Sequence, residues 1–190
     1  MKIIKQPNNI KFGLGAAKDF RFPEKSLVIT SKGASSRGWL NYTNLEKQKC
    51  FHDVEPNPSL DTAKKIISNF KNANIECVIG LGGGSSLDVA KFVGHKLGKK
   101  KILIPTTFGS GSEVTRIAVL TVKGKKTSFH DDEMFADTAI VDPHFIKNSP
   151  MEVIKNSAVD ACAQCTEGYD SKNGNEYTKF LCEKAFNILE

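Results

Sequence analysis

Residues 79–91 read IGLGGGSSLDVAK, with four glycines set between an apolar run and a helical pattern. Glycine at this density marks a place where a Cβ would block a close approach, or where the backbone needs positive φ. A strand that ends in glycines and opens a helix is an anion cradle. The backbone N–H groups of Gly83, Gly84 and Ser85 can converge on a phosphate there, helped by the positive end of the helix dipole. The spacing is neither G-x-G-x-x-G nor G-x-x-x-x-G-K-[ST]. Taken alone, the cluster also fits a plain tight turn.

The flanking sequence repeats the same grammar. Ser26–Thr30 (SLVIT), Glu76–Leu81 (ECVIGL) and Lys101–Ile104 (KILI) read as short buried strands. Between them lie a short helical stretch near 37–45, then Leu60, Ala63, Ile66, Ile67 and Phe70 at helical spacing behind a Ser59 N-cap, then Leu87 to Leu97. Strands alternating with helices imply βαβ units and a parallel sheet, an α/β fold. Right-handed crossovers would gather the strand-ending loops at one edge of that sheet. RIAVLTV, KGKK and TSFH suggest a hairpin, and TAIVD a returning strand. After Asp142-Pro143 the pattern turns helical, with two helices expected over 151–169 and 175–190. This divides the chain into an α/β domain over 1–148 and the start of a helical domain over 149–190.

Charge and composition narrow the function classes. The net charge is +6 over 190 residues, but the lysines are scattered and no aromatic-rich RNA-binding signature accompanies them. The Lys96 to Lys101 cluster fits a helix C-terminus better than a nucleic-acid surface. No apolar run reaches the roughly 18 to 20 residues that span a bilayer, and the N-terminus lacks a signal-peptide core, so the expected address is cytoplasmic. Five cysteines fit no disulfide framework. Cys162 and Cys165 form a Cys-x-x-Cys pair inside a helical pattern, which reads as two half-buried helix residues rather than a redox or zinc site. His52, His95, His130 and His144 match no ligand motif and read as solvated or hydrogen-bonded surface histidines.

A second loop, PTTFGSGSEVT at 105–115, also follows a strand and is dense in hydroxyls and glycines. Two such loops on one sheet edge suit a pyrophosphate and a ribose. GGGSSLDVAK, PTTFGSGSEVT, ADTAIVDP and DACAQCTE together resemble the iron-containing (group III) alcohol dehydrogenases, relatives of glycerol dehydrogenase and dehydroquinate synthase. The resemblance implies the dehydroquinate synthase-like fold, with a Rossmann-like NAD(P) domain followed by an all-helical metal domain. This chain looks like the first domain plus the first helices of a truncated second.

Residue by residue, the resemblance implies that Gly82, Gly83, Gly84 and Ser85 hold the cofactor pyrophosphate, and that Asp88 and Lys91 fix the following helix. Thr106, Thr107, Ser110 and Ser112 would line the nicotinamide and ribose side. Many members carry an Asp after the first strand; here Ser31 stands there beside Lys32, which tilts the expectation from NADH toward NADPH. The family's Asp-x-x-x-His metal pair corresponds to Asp160 and Gln164, so an amide replaces an imidazole that would help hold iron or zinc. Some phosphonoacetaldehyde-reductase-like members also resemble the chain in this glutamine. The implied reaction is reversible NAD(P)-dependent interconversion of a small alcohol and its aldehyde at a divalent metal. The alternatives are a nucleotide-binding remnant without turnover and one half of a split enzyme. The implied partners are another copy of the chain or a complementary C-terminal polypeptide.

Overall fold

All five residues of SLVIT are buried, because this strand lies inside a sheet covered on both faces. The computed structural model describes residues 3–190; Met1 and Lys2, part of the N-terminal segment read above for a leader, lie outside them. The order is β1 (Asn9–Phe12), β2 (Ser26–Thr30), α1 (Lys32–Ser36), α2 (Trp39–Tyr42), β3 (Lys49–Phe51), α3 (Leu60–Phe70), β4 (Cys77–Gly82), α4 (Gly84–Lys96), β5 (Lys100–Pro105), β6 (Ile117–Val122), β7 (Lys125–His130), β8 (Thr138–Val141), α5 (Pro143–Lys147), α6 (Met151–Asp170) and α7 (Glu176–Leu189).

Six strands form one parallel sheet in the order β1-β8-β5-β4-β2-β3, and β6 and β7 form a separate antiparallel hairpin. Alternation along the strands sorts their side chains into two cores. Leu27, Ile29, Val78 and Leu103 pack with Ala63 and Ile66 of α3 and with Leu87 and Val93 of α4. Val28, Ile79, Leu81, Ile102 and Ile104 pack on the opposite face with Trp39, Leu45 and Phe145. The hairpin turns through Lys123 and Gly124, both at positive φ (49° and 78°), the geometry of a two-residue turn that matches strand twist.

The hairpin, the returning strand and the two late helices sit where the sequence places them. β1 and β3 are additions. Both are short edge strands, β1 with all four residues exposed, so neither carries the apolar signature of a buried strand. Helix α4 starts at Gly84 rather than after the glycine loop, so the loop's last residues form its first turn.

α6 and α7 pack on each other, and Ser157 and Ala161 are the buried positions of α6. α7 has no buried residue and leaves Tyr177, Phe180, Leu181 and Ile188 exposed.

Candidate functional site

In the sheet order β3 lies on one side of β2, and the chain then returns to place β4, β5 and β8 on the other. That reversal is a topological switch point, and parallel sheets bind ligands beyond the strand carboxyl ends at such a point. A cleft of about 620 Å³ opens there, lined by Ser31, Arg37, Gly83, Gly84, Ser85, Thr106 and Thr107, and closed on one side by Ser149, Val153 and Asn156.

The floor of the cleft is the N-terminus of α4. Gly83 caps this helix with extended backbone and no side-chain cap bond. The first helical bond runs from Leu87 N to Gly83 O (3.2 Å), so the amides of Gly84, Ser85 and Ser86 lie in the unpaired first turn. The hydroxyl loop leans over this turn. A Cβ on Gly83 would sit 3.3 Å from Thr107 Oγ1, and one on Gly84 3.2 Å from Ser110 Oγ. Behind them, a Cβ on Gly82 would fall 2.7 Å from Ser86 Oγ, so glycine is required where β4 meets α4. Glycine at these positions lets the hydroxyl loop pack close against the first turn of α4, and Ser86 close against the end of β4.

Ser31 directly follows β2, and its Oγ accepts from Ala34 N (3.3 Å), capping α1. Neighbouring Lys32 is solvent-exposed and pairs with Asp53 at 3.4 Å, outside the cleft lining. Two charged residues not singled out in the sequence do face the cleft. Arg37 lies over the buried Trp39 ring, 5.1 Å from its centroid. Burial alone would raise the Glu55 pKa, but the Ser59 amide (2.9 Å) and Thr62 hydroxyl (2.7 Å) outweigh it and hold the carboxyl below its usual range. The glycine and serine spacing of SKGASSRGW was the available signal for Arg37, since it places a cation at the end of a short helix that follows a strand.

Asp88 and Ser112 face inward instead. Ser112 Oγ donates to Asp88 Oδ1 (2.6 Å), Val119 N donates to Asp88 Oδ2 (3.0 Å), and Lys91 Nζ lies 3.0 Å from Asp88 Oδ1. Lys91 is fully buried and also donates to Thr115 Oγ1 (3.3 Å) and to the Ile117 carbonyl. Burial pulls its pKa down against the opposing pull of Asp88 and Glu113. This clamp ties α4 to the hydroxyl loop and to β6, so Asp88 and Ser112 shape the cleft from behind.

Asp160 and Gln164 are exposed on α6. The loop reaches Asp160 through Gly109, whose φ of +102° and lack of Cβ permit contact: a Cβ there would lie 2.8 Å from both Ala161 N and Asp160 Oδ2. Gln164 lines a separate shallow trough with Phe108, Gly109 and Leu181. One carboxylate and one neutral amide are a poor donor set for iron or zinc. Among the described residues, no group of three His, Cys, Asp or Glu ligands includes Asp160. The residues present do not fit the implied catalytic metal.

A family model for iron-containing alcohol dehydrogenases matches residues 7–143. The chain belongs to this family. Long-chain-alcohol dehydrogenase 1 of Geobacillus thermodenitrificans (strain NG80-2) is 34% identical over 160 residues, covering 73% of this chain and 40% of that protein. The 4-hydroxybutyrate dehydrogenase of Clostridium kluyveri is 33% identical over 150 residues, with 70% and 40% covered. Among solved structures, an iron-containing alcohol dehydrogenase from Thermotoga maritima superposes with a TM-score of 0.89 at 28% identity, covering 98% of this chain and 60% of that one. A sulfoacetaldehyde reductase from Bifidobacterium kashiwanohense, solved in complex with NAD+, gives 0.89 at 25% identity, with 99% and 59% covered. The chain thus spans 40% of the length of these curated relatives and about 60% of these solved chains.

Proposed function

We propose that the cleft binds a nicotinamide dinucleotide and that this chain forms the cofactor-binding part of an alcohol dehydrogenase acting on a small primary alcohol or its aldehyde. The observation that carries the reading is the uncapped N-terminus of α4, facing a hydroxyl-rich loop at the switch point of the sheet. The amides of Gly83, Gly84 and Ser85 hold the pyrophosphate, with Gly82 allowing the turn. Ser31 meets the adenosine ribose, while Thr106, Thr107 and Ser110 orient the nicotinamide side. Asp88 and Ser112 keep α4 and the loop in register. When bound, the nicotinamide supplies the hydride chemistry.

NADPH is favoured over NADH, because Ser31 follows β2 where a carboxylate would stand and Arg37 offers a cation to a 2′-phosphate. Asp160 and Gln164 mark the family's metal position, yet their donor chemistry supports cofactor binding without turnover by these residues. The exposed apolar side chains of α7 suit a second copy or a complementary helical polypeptide. The proposed address is cytoplasmic.

Fluorescence titration of the purified chain with NADPH and NADH tests the reading. Micromolar binding is expected, weakened about tenfold or more by Gly84→Val, whose branched side chain presses on Ser110. Failure of both nucleotides to bind at about 1 mM sinks it. Aldehyde-dependent NADPH consumption by the chain with added zinc or iron refutes the expectation of binding without turnover.

A further inference from the structure

At the far end of α4 from the glycine cradle, His95 departs from the surface role its sequence context suggests. Its side chain is only 13% exposed, and its Nδ1 is buried without a hydrogen-bond partner. Two carboxylates face the ring. Glu133 Oε2 lies 3.3 Å from Nδ1, and Asp131 Oδ2 lies 3.8 Å from Nε2. One donor atom from each of the three residues lies within 4.8 Å of the others, the one such group of His, Cys, Asp and Glu among the described residues.

We propose that His95, Asp131 and Glu133 form a divalent-cation site, best matched to Zn²⁺, that clips the end of β7 to the end of α4. A neutral imidazole carries one N–H, so it cannot donate to both carboxylates. A cation resolves this conflict by taking one ring nitrogen and the carboxylates together. Imidazole with two carboxylates is a donor set that zinc accepts, with water completing the tetrahedron.

The surroundings prepare the site. Asp131 Oδ1 accepts from Glu133 N (2.8 Å), which orients the carboxylate and leaves Oδ2 toward His95. The intervening Asp132 turns away to Arg116 (2.9 Å) and Lys5, so the nearby fixed cations are matched by Asp132 and not by the cluster. Among the described residues, the ion pairs of Asp131 and Glu133 are both with His95. Beside them Phe92 of α4 and Phe129 of β7 pack edge to face at 5.0 Å, which holds the two elements together before any ion arrives. The site lies about 17 Å along α4 from the cradle, from the rise per helical residue, so its role is to brace the fold and not to touch the cofactor.

Isothermal titration of the chelator-stripped chain with Zn²⁺, together with Co²⁺ absorption and thermal unfolding, tests the proposal. One micromolar site per chain is expected, with a cobalt spectrum free of thiolate charge transfer and a rise in Tm on adding zinc. Glu133→Gln, at an 80% exposed position that tolerates change, should weaken binding about tenfold or more, and His95→Ala should abolish it. Asp160→Asn should leave it intact, and NADPH affinity should not respond to zinc. Absence of binding at millimolar zinc overturns the proposal in favour of a packing contact between His95 and the two acids. So does binding that survives both variants, that shows a thiolate band from the α6 and α7 cysteines, or that disappears in Asp160→Asn.

Discussion

Replacing Asp88 by Asn should be among the most damaging isosteric changes in the chain. The substitution keeps shape and leaves an oxygen to accept from Val119 N or Ser112 Oγ, but removes the charge that faces Lys91. Lys91 is fully buried and Asp88 only 14% exposed, so solvent screens this pair weakly. At 3.0 Å, attraction with an effective dielectric of 20 is about 5 kcal/mol. Removing one partner from a buried pair costs about 3–5 kcal/mol, because the remaining charge is stranded. Thr115 Oγ1 and the Ile117 carbonyl still accept from the ammonium, which places the expected loss near the lower figure. Even that is a large share of the roughly 5–15 kcal/mol that holds a domain folded.

Urea unfolding followed by the fluorescence of Trp39, the single tryptophan, reads the loss directly. Burial already lowers the Lys91 pKa, and loss of Asp88 lowers it further. Between that depressed value and the ordinary lysine value, the unfolded chain binds more protons than the folded one, so stability rises with pH. The variant should therefore recover part of its deficit as pH rises from that depressed value toward the ordinary lysine value, more than the parent gains. Adding Lys91→Met should restore about 2 kcal/mol relative to additivity, since the stranded ammonium is gone. A loss under about 1 kcal/mol, or additive effects in the double variant, would refute the clamp as an electrostatic device.

Arg37→Ala should raise the NADPH dissociation constant about tenfold, the worth of one charge-assisted contact, and change that of NADH less than about twofold; equal effects rule out a 2′-phosphate contact. Asp142 joins three segments: it caps α5 through His144 N, accepts from Gly15 N and Ala17 N, and receives the Tyr42 hydroxyl (3.0 Å). Burial pushes its pKa up, but these donors outweigh burial and hold it below the usual value, so its contribution is present above the ordinary carboxylate range and lost as pH falls through the depressed value. Asp142→Asn should cost about 1–3 kcal/mol near pH 7 and flatten the acid limb of the stability profile; an unchanged limb in urea titrations would count against the assignment. Gly109→Ala forces a Cβ against Ala161 N and should loosen α6, seen as faster amide exchange across 153–164 with little change in β4. Unchanged exchange there would show that this contact does not hold α6.

What was legible depended on how local the cause is. SLVIT reads as a strand at its true limits because each of its five residues is buried. The strand-glycine-helix junction is legible within a few residues, because β4 ends where α4 begins. Ser31, Gly83, Gly84, Ser85, Thr106 and Thr107 share one cleft because a parallel sheet brings its strand ends together. β1 and β3 escaped because exposed edge strands carry no burial pattern. Ser112 reads as a cleft residue because hydroxyls in glycine loops usually face a ligand. Its inward turn follows from Asp88 and a buried lysine, and burial of Lys91 is a property of the assembled layers rather than of LDVAK. His95 was misread for the same reason, since its acidic partners arrive from the end of a hairpin.

The two ends of the candidate active site therefore rest on different kinds of support. α4 is held along its length by Leu87, Val93 and the Asp88–Lys91 clamp, so the amides at its N-terminus are fixed whether or not a ligand is present. Such preorganisation suits recognition of a phosphate by backbone alone. Asp160 and Gln164 instead project from an exposed face of α6, which the hydroxyl loop approaches closely at Gly109. A metal held there would need further donors of higher affinity than an amide, with supporting hydrogen bonds to fix them. The proposed cofactor cradle and the metal position are thus separable in this chain, and a cofactor-binding measurement with no metal present tests the cradle alone.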